Sequence, residues 1–177
     1  ARYPRFIGRF QDDVIVLRPL VRLTERLHRG TLQVQTQPLT LEDRARLEAA
    51  LAQSPGLHGL PLAAASFAFH YMWRHRLAYS WANLHEQLCL FADSPDGIFM
   101  VLPPLGAGAF RDAVAAAFRF MRERNGTSPV TRIDNVPGAL VPELQDAGYV
   151  VTAKEPDYLY AAADLAGQRD CRLHVAA

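Results

Sequence analysis

The chain has 177 residues, half of them hydrophobic, and a formal net charge of +1. That length suits one domain with a sizeable core. The near-neutral balance excludes a strong overall electrostatic preference for nucleic acid or membrane. The two cysteines, Cys89 and Cys171, stand far apart and outside any CxxC pattern, so no disulfide framework is expected and a reducing compartment fits. Cys89 lies in an apolar run and reads as a buried free thiol.

The opening ARYPRFIGRF has no apolar h-region, so no signal peptide is expected. Residues 1–31 carry seven arginines (Arg2, Arg5, Arg9, Arg18, Arg22, Arg26 and Arg29) against Asp12, Asp13 and Glu25. This basic N-terminal extension reads first as a solvated amphipathic segment. Its other reading is an arm that meets tRNA or anionic lipid. The apolar stretch 60–71 contains His70 and is shorter than the roughly 20 residues a membrane span needs. A soluble cytoplasmic chain is expected, with membrane-peripheral placement as the variant the basic arm allows.

Val14-Ile15-Val16-Leu17 suggests a short strand, or the prelude to a helix over 20–27 that stops at Gly30. Strict alternation over Leu32-Gln33-Val34-Gln35-Thr36 predicts a strand. Thr40, with Asp43 three residues on, predicts a capped helix start. A stripe of Leu41, Ala45, Leu47, Leu51 and Ala52 follows, ended by Ser54-Pro55-Gly56. Residues 62–77 read as a second, aromatic-rich helix. Three strands come next, at 78–84, 87–92 and 98–102. His85-Glu86 turns the first pair and Ser94-Pro95-Asp96-Gly97 the second.

PPLGAGAF, residues 103–110, reads as a loop that opens a helix over 110–124, with Phe110, Val114, Ala117, Phe118 and Met121 on one face. Asn125-Gly126 ends it. A strand at 130–133, a helix at 139–147 stopped by Gly148, and strands at 149–152 and 158–161 complete the series. The fold class is α/β (α+β), a single domain with a mixed, mainly antiparallel sheet flanked by helices.

Two stretches carry candidate chemistry. In PPLGAGAF a strand runs through glycines into a helix, where free backbone N–H groups favour an anion such as pyrophosphate. Gly106, Ala107 and Gly108 are the candidate cofactor-binding residues. The plain alternative is a turn that needs glycine. HYMWRHRL, residues 70–77, interleaves basic and aromatic residues as some nucleic-acid readers do. On a helix, Phe69, Met72, Trp73 and Arg76 fall near one face, which favours core packing with snorkelling arginines. Asp134-Asn135 and Asp157 with Tyr158 and Tyr160 read as strand-end and turn groups rather than acid–base groups. His70 and His75 are five apart and share no i, i+4 face, so no metal site is expected. No nucleophile signature is present.

The order β-α-α-β-β-β-α-β-α-β-β resembles the GNAT acyltransferase fold, in which a loop between the fourth strand and third helix receives the pyrophosphate of coenzyme A. PPLGAGAF stands at that place. Gly106 and Gly108 match the loop pattern, while Pro103 replaces its Gln or Arg and has no N–H to donate.

Further segments extend the resemblance. They are Pro38-Leu39-Thr40-Leu41-Glu42-Asp43, Ser66-Phe67-Ala68-Phe69 with Tyr71-Met72-Trp73-Arg74, Phe99-Met100-Val101-Leu102-Pro103 with Leu105-Gly106, and Asp157-Tyr158-Leu159-Tyr160 with Asp164-Leu165-Ala166. Over residues 32–166 the chain resembles bacterial proteins of unknown function related to the C-terminal region of phosphatidylglycerol lysyltransferases. Such proteins look like two GNAT-like halves in tandem, and the lysyltransferases move an aminoacyl group from charged tRNA to a lipid head group.

The resemblance implies a first GNAT-like half of an acyl- or aminoacyl-transferase-like protein, with acyl-coenzyme A or aminoacyl-tRNA as donor and a second half or a second copy as partner. After Gly167, residues 168–177 supply neither the Tyr nor the Lys-Arg-Asn run expected next. A divergent tail on an incomplete family member, inactive alone, is therefore expected, and no catalytic residue is carried over. The alternative is a non-catalytic binding or scaffold module that dimerises through an exposed sheet edge.

Overall fold

The computed structural model describes residues 15–19, 34–57 and 62–153. The helix expected over 20–27 and the strand expected over 158–161 lie outside the described residues. Within them the chain forms seven strands and four α-helices. β1 (Ile15–Pro19) and β2 (Gln37–Pro38) come first, then α1 (Arg44–Ala52) and α2 (Phe67–Trp73). The series continues with β3 (Ala78–Leu84), β4 (Gln87–Ser94), β5 (Gly97–Met100), α3 (Phe110–Asn125), β6 (Ile133–Val136), α4 (Val141–Asp146) and β7 (Tyr149–Ala153).

One sheet holds all seven strands in the order β2-β3-β4-β5-β6-β1-β7. Every neighbouring pair is antiparallel except β5–β6, so the expected mixed, mainly antiparallel sheet is present. β1 comes from the basic N-terminal segment, yet it pairs with both β6 and β7. The sheet therefore draws on chain ahead of residue 32.

Helices cover both faces. In β4, Cys89 and Phe91 point to one side, where they join Val114, Phe118 and Met121 of α3 and Leu144 of α4. Leu90 and Ala92 point to the other and join Leu47 and Leu51 of α1 and Phe67 of α2. This is the period-two alternation of a strand. Because both faces are buried, β4 is apolar along most of its length. α3 presents the expected stripe, with Val114, Ala117, Phe118 and Met121 buried and Phe110 half-buried. Phe120 meets Phe91 edge-on at 5.0 Å, and Phe118 stacks on Tyr149 at 5.1 Å.

Local chemistry sets the element ends. Asp43 accepts hydrogen bonds from the Thr40 amide at 2.9 Å and the Thr40 hydroxyl at 3.0 Å, as the capping pattern predicts. His85 and Glu86 both take positive φ, 49° and 63°, the geometry of a two-residue primed turn that matches strand twist. Asn125 closes α3 and also acts as a short substitute strand. Its Oδ1 accepts from the Ile98 amide at 2.8 Å, and its Nδ2 donates to the Ile98 carbonyl at 2.7 Å and to Thr131 at 2.8 Å.

Several expectations need correction. The strand expected at 32–36 is not formed over its described part, 34–36, and pairing occurs instead at Gln37–Pro38. Buried Leu39 anchors this segment through its N–H bond to the Tyr79 carbonyl. The helix at 62–77 is two pieces, a 3₁₀ turn at Ala63–Ala65 and α2, separated by extended Ser66. The break leaves the Ala64 carbonyl open to His70. Leu41 is exposed, because a 3₁₀ turn at Leu41–Asp43 precedes α1 and shifts the helical phase.

The strand expected at 130–133 lies instead at Ile133–Val136, so Asp134 and Asn135 are inside it rather than after it. A bulge makes this possible. Ile15 pairs with Val136 and Leu17 with Ile133, so β6 advances three residues against two on β1. Asn135 adopts φ 55°, and both Ile133 and Val136 reach the α3 side. β5 ends at Met100, and the Val101 amide, donating to the Leu90 carbonyl at 3.1 Å, adds one further bond in the same register with β4.

Candidate functional site

β5 and β6 share one registered pair, Met100 with Ile133, sealed by the Met100 amide donating to the Arg132 carbonyl at 3.0 Å. Beyond it β5 ends and β6 runs on without a further β5 partner. The Asn135 side chain crosses the opening and donates to the Val101 carbonyl at 2.7 Å. Beside it Arg132 lies over the Phe99 ring at 4.3 Å and pairs with largely buried Asp134 at 2.8 Å.

The loop that leaves this point is pinned at four places. Leu105 and Leu88 exchange backbone bonds of 2.8 and 2.9 Å. The Gly106 amide, at φ 120°, donates to the Ser54 hydroxyl at 2.9 Å, and that hydroxyl donates to the Ala50 carbonyl at 2.7 Å. Gln87, nearly fully buried, donates to the Gly108 carbonyl at 2.8 Å. The Ala109 amide donates to the His85 carbonyl at 3.3 Å. A Cβ on Gly108 would run into the His85 carbonyl oxygen and the Glu86 backbone. Glycine there permits contact between two backbones.

A groove of about 840 Å³ runs between α1, the 34–37 segment, β3 and this loop. Its floor is apolar, with Trp81, Leu84, Leu88 and Leu105. Its rim carries the amides of Gln35, Gln37, Gln53 and Asn83, with Arg46 and Glu86 as the charged residues. Arg46 lies over the Trp81 ring at 4.3 Å and pairs with Asp43 at 3.3 Å. Burial works against the Asp43 carboxylate, but the bonds from the Thr40 amide and hydroxyl and the charge of Arg46 hold it below its usual range.

Gly106 and Ala107 both line the groove, Gly106 buried and Ala107 exposed. Gly108 is not among the lining residues and sits against the His85–Glu86 turn. Sequence reasoning missed Ser54, Gln87, Arg46 and Trp81. Ser54 reads only as part of a helix stop, and nothing local shows that its hydroxyl reaches across 52 residues to an amide.

The other reactive groups lie elsewhere. Cys89 is fully buried, and burial raises its pKa far above the usual thiol value. His70 is fully buried, and burial lowers its pKa to about 4. Asp157, Tyr158 and Tyr160 fall outside the described residues. Among the described residues no cluster of three His, Cys, Asp or Glu side chains could hold a metal ion, and no helix is long and apolar enough to cross a membrane.

The aromatic helix departs from the one-face packing expected of it. Phe67 and His70 are buried and Phe69 is half-buried, whereas Met72 and Trp73 are 67% and 46% exposed. Comparison with known proteins finds no match to this chain, whether among family models, curated proteins or solved structures.

Proposed function

We propose that this chain is a GNAT-like half of an acyl- or aminoacyl-transferase-like protein related to phosphatidylglycerol lysyltransferases, and that it contributes a donor-binding surface rather than a complete catalytic centre. The observation that carries the reading is the parallel β5–β6 contact limited to one registered pair, with the pinned loop and α3 following β5. From β2 onward the order β-α-α-β-β-β-α-β-α-β agrees with it.

The restriction to binding rests on the groups present. The Gly106 and Ala109 amides are already bonded within the chain. Cys89 and His70 lie outside the groove, and Glu86 is the one carboxylate among its described lining. A donor such as acyl-coenzyme A or the acceptor end of aminoacyl-tRNA would meet the loop at Ala107 and present anionic groups to Arg46.

Titration calorimetry with acetyl-coenzyme A, with amide NMR of residues 105–109, tests the reading. Heat of binding with a shifted Ala107 amide is the expected result. No heat together with unmoved amides overturns donor binding.

A second reading, a scaffold that self-associates, is favoured by the β2 edge. The Tyr79 carbonyl faces β2, since it accepts from Leu39. By period two the backbone groups of Asn83 face the same way, and β2 ends before reaching them. Among the described residues this stretch of edge has no strand partner, and such an edge templates another strand. Size-exclusion over a wide concentration range checks it, and a strict monomer throughout removes this reading.

A further inference from the structure

We propose that the C-terminal corner of α2 is a docking patch for an anionic lipid surface. Met72 and Trp73 are adjacent and present large apolar area to solvent, 67% and 46% exposed. They stand apart from the buried residues of the helix, Phe67 and His70. Scattered exposed apolar residues are ordinary. An adjacent apolar pair bordered by arginines that form no ion pair among the described residues is a different surface.

The border is basic. Arg74 lies over the Tyr71 ring at 3.7 Å and donates to the Tyr71 carbonyl at 2.6 Å, which fixes its guanidinium at the base of the patch. His75 and Arg76 follow in the turn and are exposed. The Arg76 amide donates to the Trp73 carbonyl at 2.8 Å, which keeps Arg76 one turn from the indole. No Asp or Glu occurs anywhere in residues 49–85. The cations beside Met72 and Trp73 therefore have no carboxylate from their own stretch of chain.

Charge and shape select the partner. The indole is amphipathic and settles at a membrane interface, with its ring in the acyl boundary and its N–H among head groups. Methionine adds flexible apolar area that inserts but cannot stack on a base. Arginines at the rim meet lipid phosphates and carboxylates. A nucleic-acid platform would place exposed aromatic rings in series. Here the more exposed of the two apolar side chains is Met72, and the aromatic neighbours Phe69 and Tyr71 are half-buried.

The test uses the whole chain with vesicles of equimolar phosphatidylcholine and phosphatidylserine, and with vesicles of phosphatidylcholine alone. Co-sedimentation with the anionic vesicles and a blue shift in tryptophan emission are expected, with little binding to the neutral ones. The chain has two tryptophans, and Trp81 is only 8% exposed, so Trp73→Phe should abolish the shift. Arg76→Ala should weaken partition roughly fivefold, and the pair Met72→Ser with Trp73→Ser should abolish it.

These positions are exposed, so the variants are expected to keep wild-type far-UV circular dichroism and the calorimetric behaviour of the groove. Binding unchanged in the double variant overturns the proposal. So does binding of a single-stranded RNA through these residues without vesicle binding, or a Met72-dependent dimer that ignores lipid.

Discussion

Protonating His70 should destabilise the fold by about 3 kcal/mol as pH falls from neutral to about 4. The ring Nε2 sits 2.7 Å from the Ala64 carbonyl, which only accepts, so Nε2 carries the proton. Nδ1 is then bare, buried and without a hydrogen-bond partner among the described residues. Its surroundings include the rings of Phe69 and Tyr79, each 5.4 Å away. Adding a proton at Nδ1 would place an imidazolium among these rings, and burial accordingly lowers the pKa from 6.5 to about 4.

Between those two values the unfolded chain binds a proton that the folded chain does not, so stability falls as pH falls. Above the unfolded pKa the contribution is fully present, and below the folded pKa this group takes nothing further. The gap of about 2.5 pKa units, at about 1.36 kcal/mol each, sets the size. Urea denaturation of wild type and His70→Gln across this range isolates the effect, because the glutamine amide can still donate to Ala64 but does not titrate. The wild-type curve should fall more steeply by about that amount. Parallel curves would refute the reasoning.

Three further outcomes follow from the packing. Asn125→Ala removes all three bonds that hold Ile98 and Thr131 and should cost about 2–3 kcal/mol in chemical denaturation; a loss below about 1 kcal/mol contradicts the substitute-strand role. Gly108→Ala should destabilise by more than about 1 kcal/mol, since its Cβ meets backbone that cannot rotate away, whereas Gly138→Ala, with open space around it, should be near neutral. Equal effects at the two sites contradict the close approach. Ser54→Ala strands the buried Gly106 amide and should cost about 1–3 kcal/mol, with faster hydrogen exchange at that amide; unchanged exchange contradicts the bond.

What the sequence reveals tracks how local the cause is. α3 is legible because its stripe repeats at helical spacing and Gly126 stops it, and the β3–β4 hairpin because apolar runs flank a two-residue turn. β6 is misread because a polar pair ordinarily marks a strand end. Here the bulge at Asn135 places it inside the sheet, and the bulge depends on pairing with β1. The break before α2 is equally hidden, since it serves a bond from His70 back to Ala64. At the groove, the glycines are visible in the sequence, but the floor and rim are assembled from α1, β3 and the 34–37 segment. Only the fold brings these together.

The position of β1 between β6 and β7 also orders events in folding. Leu17 pairs with Ile133 and Val151, so those contacts close the longest loops in the sheet. Loop-closure entropy rises with separation, and such contacts slow the approach to the native state. The β3–β4–β5 meander can form from neighbours alone, whereas β6 and β7 must wait for a segment from the far end of the chain. Until it arrives, both present unpaired edges, and the same segment from a second copy would fit the slot equally well. The slot between β6 and β7 is thus the last part of the sheet that the chain completes from its own residues.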